Sequence, residues 1–252
     1  MLHPYHESLL SQLYPGSQSS ATALQPAVLL FEKQLALPER YRHKIIWRVD
    51  AGFGSDPNVN WLVQRGYQVL AKGISNRRAG KLLTLVQRWR LVAENKWVGS
   101  VPTPSPVSRT VYTFVLRRIV KHETQIAYLY TTLPWSGIQI ASFYDQRGGA
   151  ETEFRSDKSG GAHLDKHRKH KRHAQEVWIH LTDITHNYLS WFQHRILADS
   201  PLASWGHLRI SRDLMHMPGI IEMHNGQLLS VKLSKTAPHA AELLDCLKRF
   251  WL

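Results

Sequence analysis

Short apolar runs flank an amphipathic stretch in the first third of the chain. Lys44–Asp50 is one such run and ends in a carboxylate, and Tyr67–Ala71 is the second. Runs this short and apolar are typical of buried strands. The residues between them fit a turn and a helix that ends at Gly66. Strand, helix and strand in this order predict a βαβ unit with a parallel pair of strands.

The turn and the start of this helix have their own signals. Gly52 and Gly54 allow the chain to turn tightly after the first strand. Asp56 fits the N-cap of the helix. Pro57 fits the first helical position, where the missing N–H costs no hydrogen bond. These residues therefore predict where the helix begins.

Two elements are predicted ahead of the βαβ unit. Residues 9–13 could form a short strand, closed by Pro15-Gly16. Residues 21–37 predict a helix with Ser20 as its cap. Pro26 is tolerable in that helix only near its first turn.

The rest of the chain changes pattern twice. Residues 82–136 are rich in β-branched and aromatic side chains, which predicts a β-rich insertion of three to five strands. Helical periodicity returns over 138–158 and over 174–197. Asn225-Gly226 between two apolar runs is a strong hairpin signal, and a closing helix is predicted over 238–250.

Charge is the most informative part of the composition. The 252 residues include 32 Lys and Arg against 19 Asp and Glu, which gives a net charge of +13 at pH 7. Such an excess favours a polyanion as partner, the alternative being a basic protein without one. No apolar stretch approaches the ~20 residues that span a bilayer. The single cysteine, Cys246, excludes a disulfide framework and fits a reducing, cytoplasmic setting.

The densest basic run lies at residues 166–173 and has no apolar partner face. A membrane-surface helix would need such a face, so nucleic acid is the favoured partner. Histidines at helical spacing in this run could instead gather a transition metal, which we consider weaker than contact with backbone phosphates. The candidate DNA contacts in the run are Arg168, Lys169, Lys171 and Arg172.

A second group of polar residues shares one face of a predicted helix. Positions 144, 147, 151, 155 and 158 are spaced by 3, 4, 4 and 3 residues. They are Tyr144, Arg147, Glu151, Arg155 and Lys158. A solvated ladder of ion pairs would explain the same stripe, although Gly148-Gly149 costs a helix ~1 kcal/mol per glycine. From the residues alone, the structural and functional interpretations both stay open.

Four of these residues carry a family resemblance. The spacing Tyr144-x2-Arg147-x3-Glu151-x6-Lys158 resembles the "YREK" signature of bacterial insertion-sequence DDE transposases. The resemblance implies that Glu151 is the last catalytic, metal-binding residue of the DDE triad. It also implies that Tyr144, Arg147 and Lys158 lie near the DNA backbone, with Arg155 on the same face.

The predicted strand end carries a second resemblance. The segment from Arg48 to Gly54 is similar to the one that holds the second catalytic aspartate of this family, which implies that Asp50 is catalytic and binds metal. The family implies an RNase H-like α/β fold, a mixed sheet with flanking helices interrupted by the β-rich insertion. It further implies a site for two Mg²⁺ or Mn²⁺ ions. The expected parts are the first part of the catalytic core over 1–81, the insertion over 82–136, the last part of the core over 137–200, and a C-terminal hairpin and helix over 201–252.

The first aspartate of the triad has no counterpart in this pattern. The acids before Asp50 are Glu7, Glu32 and Glu39, and none of them lies in an apolar strand. We therefore expect an N-terminally truncated domain that lacks its first strands and is inactive alone.

The leading functional hypothesis is a transposase fragment whose intact relatives carry out Mg²⁺-dependent phosphodiester cleavage and strand transfer. The alternative is a non-catalytic DNA-binding remnant or inhibitor, and a basic RNA-binding protein is a third. The expected partners are transposon-end DNA and a homodimer or mixed assembly with intact transposase, without a membrane. The expected location is the cytoplasm, at the nucleoid.

Overall fold

Two units make up the computed structural model, which describes residues 7–146 and 171–251. The first unit spans Leu13–Gly149, and the second combines Met1–Gln12 with Ala150–Leu252. Each unit has buried apolar clusters of its own.

The predicted βαβ unit is present in the first unit. Strand β1 (Ile46–Val49) pairs in parallel with β2 (Gln68–Lys72), and helix α2 (Asp56–Gln64) connects them. Gly66 ends the connection at a φ of +90°, a conformation that glycine adopts without steric cost. The prediction of a parallel pair is confirmed.

Four further strands continue the same sheet. They are β3 (Arg90–Ala93), β4 (Lys96–Val101), β5 (Tyr112–Val120) and β6 (Glu123–Thr131). The strand order is β1-β2-β6-β5-β4-β3, and every pair except β1 and β2 is antiparallel. The region predicted to be β-rich therefore joins the βαβ unit through β6, which pairs with β2. The predicted mixed α/β sheet with flanking helices is confirmed.

Helices cover both faces of this sheet. The strands alternate, so that Val69 and Ala71 of β2 pack toward α1 (Ser20–Gln34), α2 and α3 (Asn76–Leu83). Leu70 points the other way, into a cluster with α4 (Gly137–Asp145). Full burial of one such aliphatic side chain contributes about 1.5–3 kcal/mol, so these two clusters hold the layers together.

Two predictions ahead of the βαβ unit are wrong. Residues 9–13 form no strand; instead, the hydroxyl groups of Ser11 and of the preceding Ser8 donate to Asp183, at 2.9 and 2.7 Å. Helix α1 has Ser19 as its N-cap, so Pro26 lies in its second turn. Burial of neighbouring helix residues holds α1 together across the proline, because tertiary packing overrides local propensity.

The described part of the second unit consists of helices and a hairpin. Helix α5 (Arg172–Trp191) continues into a π-helical turn, Phe192–Ile196. Short helical turns follow at Pro201–Ser204, His207–Arg209 and Ile210–Leu214. The chain then forms the hairpin of β7 (Gly219–His224) and β8 (Gln227–Leu233) and the closing helix α6 (Ala240–Trp251).

The hairpin and the closing helix both agree with the sequence. Asn225 and Gly226 have φ values of +48° and +78°, as a type I′ turn requires. Cys246 is 1% exposed, within the apolar cluster that α6 shares with the residues after α5. None of the described helices is long and apolar enough to cross a membrane.

Candidate active site

Asp50 lies at the carboxyl end of β1, where the chain leaves the sheet. The preceding residue, Val49, is buried, and Asp50 itself is half-buried. The amides of Phe53 and Gly54 both donate to the Asp50 carbonyl, at 3.2 and 3.0 Å. The buried strand and the closed turn together fix the position of the Asp50 backbone.

Glycine is required at position 54 of this turn because the backbone of β2 approaches it closely. A Cβ on Gly54 would lie 1.8 Å from the carbonyl oxygen of Lys72, the last residue of β2. A Cβ on Gly52 would lie 2.6 Å from Ser20 Oγ and 3.3 Å from Asp50 Oδ1. The Ser20 hydroxyl also donates to the Gly52 carbonyl at 3.0 Å. The turn is thus packed against α1 and the end of β2.

Asp56 does not cap α2 as predicted, because its carboxylate has partners distant in sequence. The N-cap is Ser55, while Arg78 Nη1 donates to both Asp56 oxygens at 2.5 and 2.6 Å. Tyr130 Oη donates to Asp56 at 3.3 Å and accepts from Arg78 at 2.9 Å. Burial first, and the nearby Asp56 charge second, raise the pKa of Tyr130. The Asp56 hydrogen bond raises the pKa of Arg78.

These contacts give Asp56 a structural role. They join the start of α2 to α3 and to β6, and so anchor the far end of the turn that begins at Asp50. A carboxylate already bound by a guanidinium is a poor candidate for a metal ligand.

Tyr144 lies on α4, which is tied to the strand of Asp50. Arg48 Nη1, from β1, donates to the Phe143 carbonyl at 2.8 Å, and the guanidinium carbon stands 4.9 Å from the centre of the Phe143 ring. Lys96 of β4 forms an ion pair with Asp145 at the end of the same helix. Half-buried Tyr144 packs against the cluster between α4 and the sheet. The structure therefore links the elements that carry Asp50 and Tyr144.

Arg48 is not among the site residues predicted from the sequence. The sequence signal for its role is a single arginine within a short apolar strand, because a guanidinium in such a strand needs hydrogen-bond acceptors. The carbonyl of Phe143, in the last turn of α4, provides such an acceptor.

Most of the other predicted site residues lie outside the described residues. These are Arg147, Glu151, Arg155, Lys158, Arg168 and Lys169. Lys171 and Arg172 stand exposed at the start of α5, where Arg172 Nε donates to Glu176 at 3.0 Å. Convergence of Asp50 with Glu151 therefore stays a prediction.

A carboxylate such as Asp50 is a hard oxygen donor, the kind of ligand that Mg²⁺ prefers. Within residues 7–146 and 171–251, no three His, Cys, Asp or Glu side chains come together as a metal site. Glu151, which the sequence predicts as the second metal ligand, lies outside these ranges.

The chain matches a family model described as transposase DDE domain, group 1, over residues 3–251. The matched range includes Asp50 and the whole segment from Tyr144 to Lys158. No curated protein matches the chain.

Proposed function

The chain belongs to the transposase DDE domain family, and we propose that its Asp50 and Glu151 bind the divalent metal ions that it uses to act on transposon-end DNA. Transposases act on DNA, and the net charge of +13 suits such a partner. The observation that carries the proposal is the placement of Asp50, at a strand end fixed by its turn and linked through Arg48 to the helix of Tyr144.

Each proposed residue has a role that follows from its chemistry. The carboxylates of Asp50 and Glu151 would bind Mg²⁺ or Mn²⁺, which when bound stabilises charge on the scissile phosphate. Arg147, Arg155 and Lys158 would donate charge-assisted hydrogen bonds to DNA phosphates, and the Tyr144 hydroxyl would add a neutral one. The basic residues Arg168, Lys169, Lys171 and Arg172 would extend this contact along the backbone.

The second candidate function is a DNA-binding form that does not cleave. In its favour, the acids that precede Asp50 in the first unit have other partners. Glu32 is bound by Arg65 and Tyr67, and Glu39 by Arg42. Both carboxylates are thus engaged by protein side chains, and a metal site without a third carboxylate would bind its ion more weakly. Such a protein would bind the ends of the transposable element, or would inhibit an intact transposase by forming a mixed assembly with it.

The test of the metal site compares melting temperatures with and without Mn²⁺. An ion that binds only the folded chain stabilises it by about 2.7 kcal/mol at a hundred times its dissociation constant. We expect Mn²⁺ to raise the melting temperature of the wild type, and Asp50→Asn or Glu151→Gln to reduce that rise. Glu94→Gln, which changes an exposed acid in the turn after β3, is the matched control and should respond like the wild type.

The results first test the proposed metal site and then distinguish the two candidate functions. Equal shifts in the wild type, Asp50→Asn and Glu151→Gln would place the ion elsewhere and contradict the proposed site. If Mn²⁺ binds as expected, a cleavage assay on transposon-end DNA then decides between the two functions. Metal-dependent nicking that both variants abolish supports the enzyme, whereas binding without nicking supports the non-catalytic form.

A further inference from the structure

Lys72, the last residue of β2, lies at the same edge of the sheet as Asp50. Strands β1 and β2 are parallel, with Val49 opposite Ala71, so the residues that follow this pair are Asp50 and Lys72. Neighbouring strands are about 4.8 Å apart. The Gly54 amide donates to the Asp50 carbonyl at 3.0 Å, and a Cβ on Gly54 would lie 1.8 Å from the Lys72 carbonyl oxygen. The backbones of Asp50 and Lys72 therefore flank the same glycine.

The side chain of Lys72 belongs to the face of the sheet that packs on α4. Lys72 pairs with Leu129 of β6, and Leu70 lies two residues before it on β2. Leu70 and Leu129 are both members of the cluster with α4, and side chains alternate along a strand, so Lys72 shares their face. Tyr144 packs against the same cluster. Lys72 thus lies on the face that carries Tyr144, at the edge that carries Asp50.

The charge of Lys72 differs from those of the nearby arginines because no protein group is bound to it. Arg78 donates to both oxygens of Asp56, and Arg48 donates to the Phe143 carbonyl. Lys72 is half-buried, yet its ammonium forms no hydrogen bond or ion pair in the part of the chain that the structure describes. Partial burial of a charge without an acceptor is unfavourable. A bound anion would remove this cost, and lysine commonly binds phosphate as a point charge.

We propose that Lys72 binds a phosphate of the DNA backbone beside Asp50. The inference rests on the proposed function, because it takes DNA as the partner. A carboxylate repels a phosphodiester, and a neighbouring cation offsets this repulsion where the two must come close. A protonated amine has donors but no lone pair for a metal ion, so its chemistry assigns Lys72 to the phosphate and not to the metal.

DNA binding in the presence of EDTA tests the contact without any metal. Lys72→Met keeps the aliphatic part of the side chain and removes the charge. We expect its affinity for a labelled duplex of mixed sequence to fall roughly tenfold, as the loss of one charge-assisted hydrogen bond implies. The slope of log affinity against log salt should flatten by about 0.9, the contribution of one phosphate. Lys72→Arg keeps the charge and should keep the wild-type slope.

Lys81→Met is the matched control for this measurement. Lys81 is exposed in the last turn of α3, and its replacement lowers the net charge by the same amount. Long-range attraction therefore weakens equally in Lys81→Met and Lys72→Met, whereas only the second variant should lose a phosphate contact. Equal affinities and slopes in the two variants would overturn the proposal.

A double-mutant cycle with Asp50 tests where the phosphate lies. Without metal, Asp50→Asn should strengthen DNA binding, because it removes a negative charge beside the bound phosphate. This gain should be smaller in the Lys72→Met background, where the phosphate is no longer held at that place. Non-additive effects of the two changes would support the proposed position. Additive effects would mean that Lys72 contacts DNA away from Asp50, and would overturn it.

The melting experiment with Mn²⁺ separates this inference from the proposed metal site. Lys72→Met should keep the full rise in melting temperature, because removal of a nearby positive charge does not weaken a cation site. A lost rise in Lys72→Met would contradict the assignment of Lys72 to phosphate. A rise that Asp50→Asn leaves unchanged would contradict the metal site alone, since the DNA measurements in EDTA do not depend on metal.

Discussion

Glu32 is a carboxylate held by three side chains, and its pKa is lowered. Arg65 Nε donates to it at 2.8 Å and Tyr67 Oη at 2.6 Å, while Arg42 forms an ion pair at 3.1 Å. The Arg65 hydrogen bond contributes most to lowering the pKa of Glu32 to about 2. Burial raises the pKa of Tyr67, with the hydrogen bond to Glu32 as the second cause. The group therefore joins α1, the end of α2 and the start of β2.

This carboxylate predicts a loss of stability in acid. Because the folded pKa lies below the ordinary 4.5, the contribution of Glu32 is complete above pH 4.5 and is lost as the pH falls toward 2. Glu32→Gln should lower the free energy of unfolding by about 2–3 kcal/mol at pH 7, and by much less near pH 2.5. Urea unfolding at both pH values measures the difference. Glu39, which also pairs with Arg42, is 83% exposed, so Glu39→Gln should change the free energy of unfolding little. A loss of stability in Glu32→Gln that does not depend on pH would contradict the assignment.

Gly54 provides a second test at a single position. Gly54→Ala places a methyl group where the Lys72 carbonyl lies, so the turn after Asp50 must shift. Overpacking of this kind costs about 1–3 kcal/mol, and we expect a weaker response to Mn²⁺ as well. Gly80→Ala in α3 is the control, because its Cβ would meet nothing within 4 Å and alanine favours a helix by up to ~1 kcal/mol. Wild-type stability in Gly54→Ala would show that the turn is not constrained.

Among the elements, α2 shows what a local pattern can and cannot predict. Its start was predictable to within one residue, and its end at Gly66 was predictable because glycine adopts a φ of +90° without steric cost. The role of Asp56 was not, because Arg78 is 22 residues away and Tyr130 is 74. The type I′ hairpin at Asn225-Gly226 was predictable because its signal is wholly local.

The contact between α2 and α3 can be measured by a double-mutant cycle. Asp56→Asn and Arg78→Met should each cost about 1–3 kcal/mol, since each leaves a partly buried charge without its partner. The double variant should cost little more than either single one, which corresponds to a coupling of at least ~1 kcal/mol. The matched pair is Glu222 and Lys232 on the hairpin, where both side chains are exposed, so that the coupling should be much smaller. Additive effects at Asp56 and Arg78 would contradict the anchoring role.

For the molecule as a whole, the class of fold was predictable but its sheet order was not. The apolar runs predicted the βαβ unit, and β-branched stretches predicted the later strands. Nothing in the sequence of β6 shows that it returns to pair with β2, because that pairing joins residues about 60 positions apart. The contacts of Arg48 with Phe143 in α4 and of Lys96 with Asp145 join residues 95 and 49 positions apart. Long-range contacts of this kind depend on the assembled sheet, which local patterns do not specify.

The net charge of +13 predicts DNA binding that weakens steeply with salt. Each phosphate that the protein neutralises contributes about −0.9 to the slope of log affinity against log salt. If the run at 166–173 contacts the backbone, replacing Arg168, Lys169, Lys171 and Arg172 by alanine should flatten the slope by up to about 3.6. Titration of a labelled duplex at several salt concentrations measures this slope.

The control for this prediction must remove the same charge from another surface. Replacing Arg212, Lys232, Lys235 and Lys248 by alanine removes four exposed charges outside the run, so both variants have a net charge of +9 instead of +13. Long-range attraction depends on net charge and would weaken equally in the two variants, whereas counterion release depends on the residues that touch phosphate. A flattened slope in the first variant alone therefore identifies the run as a contact. Equal slopes in both variants would mean that the run acts only through overall charge.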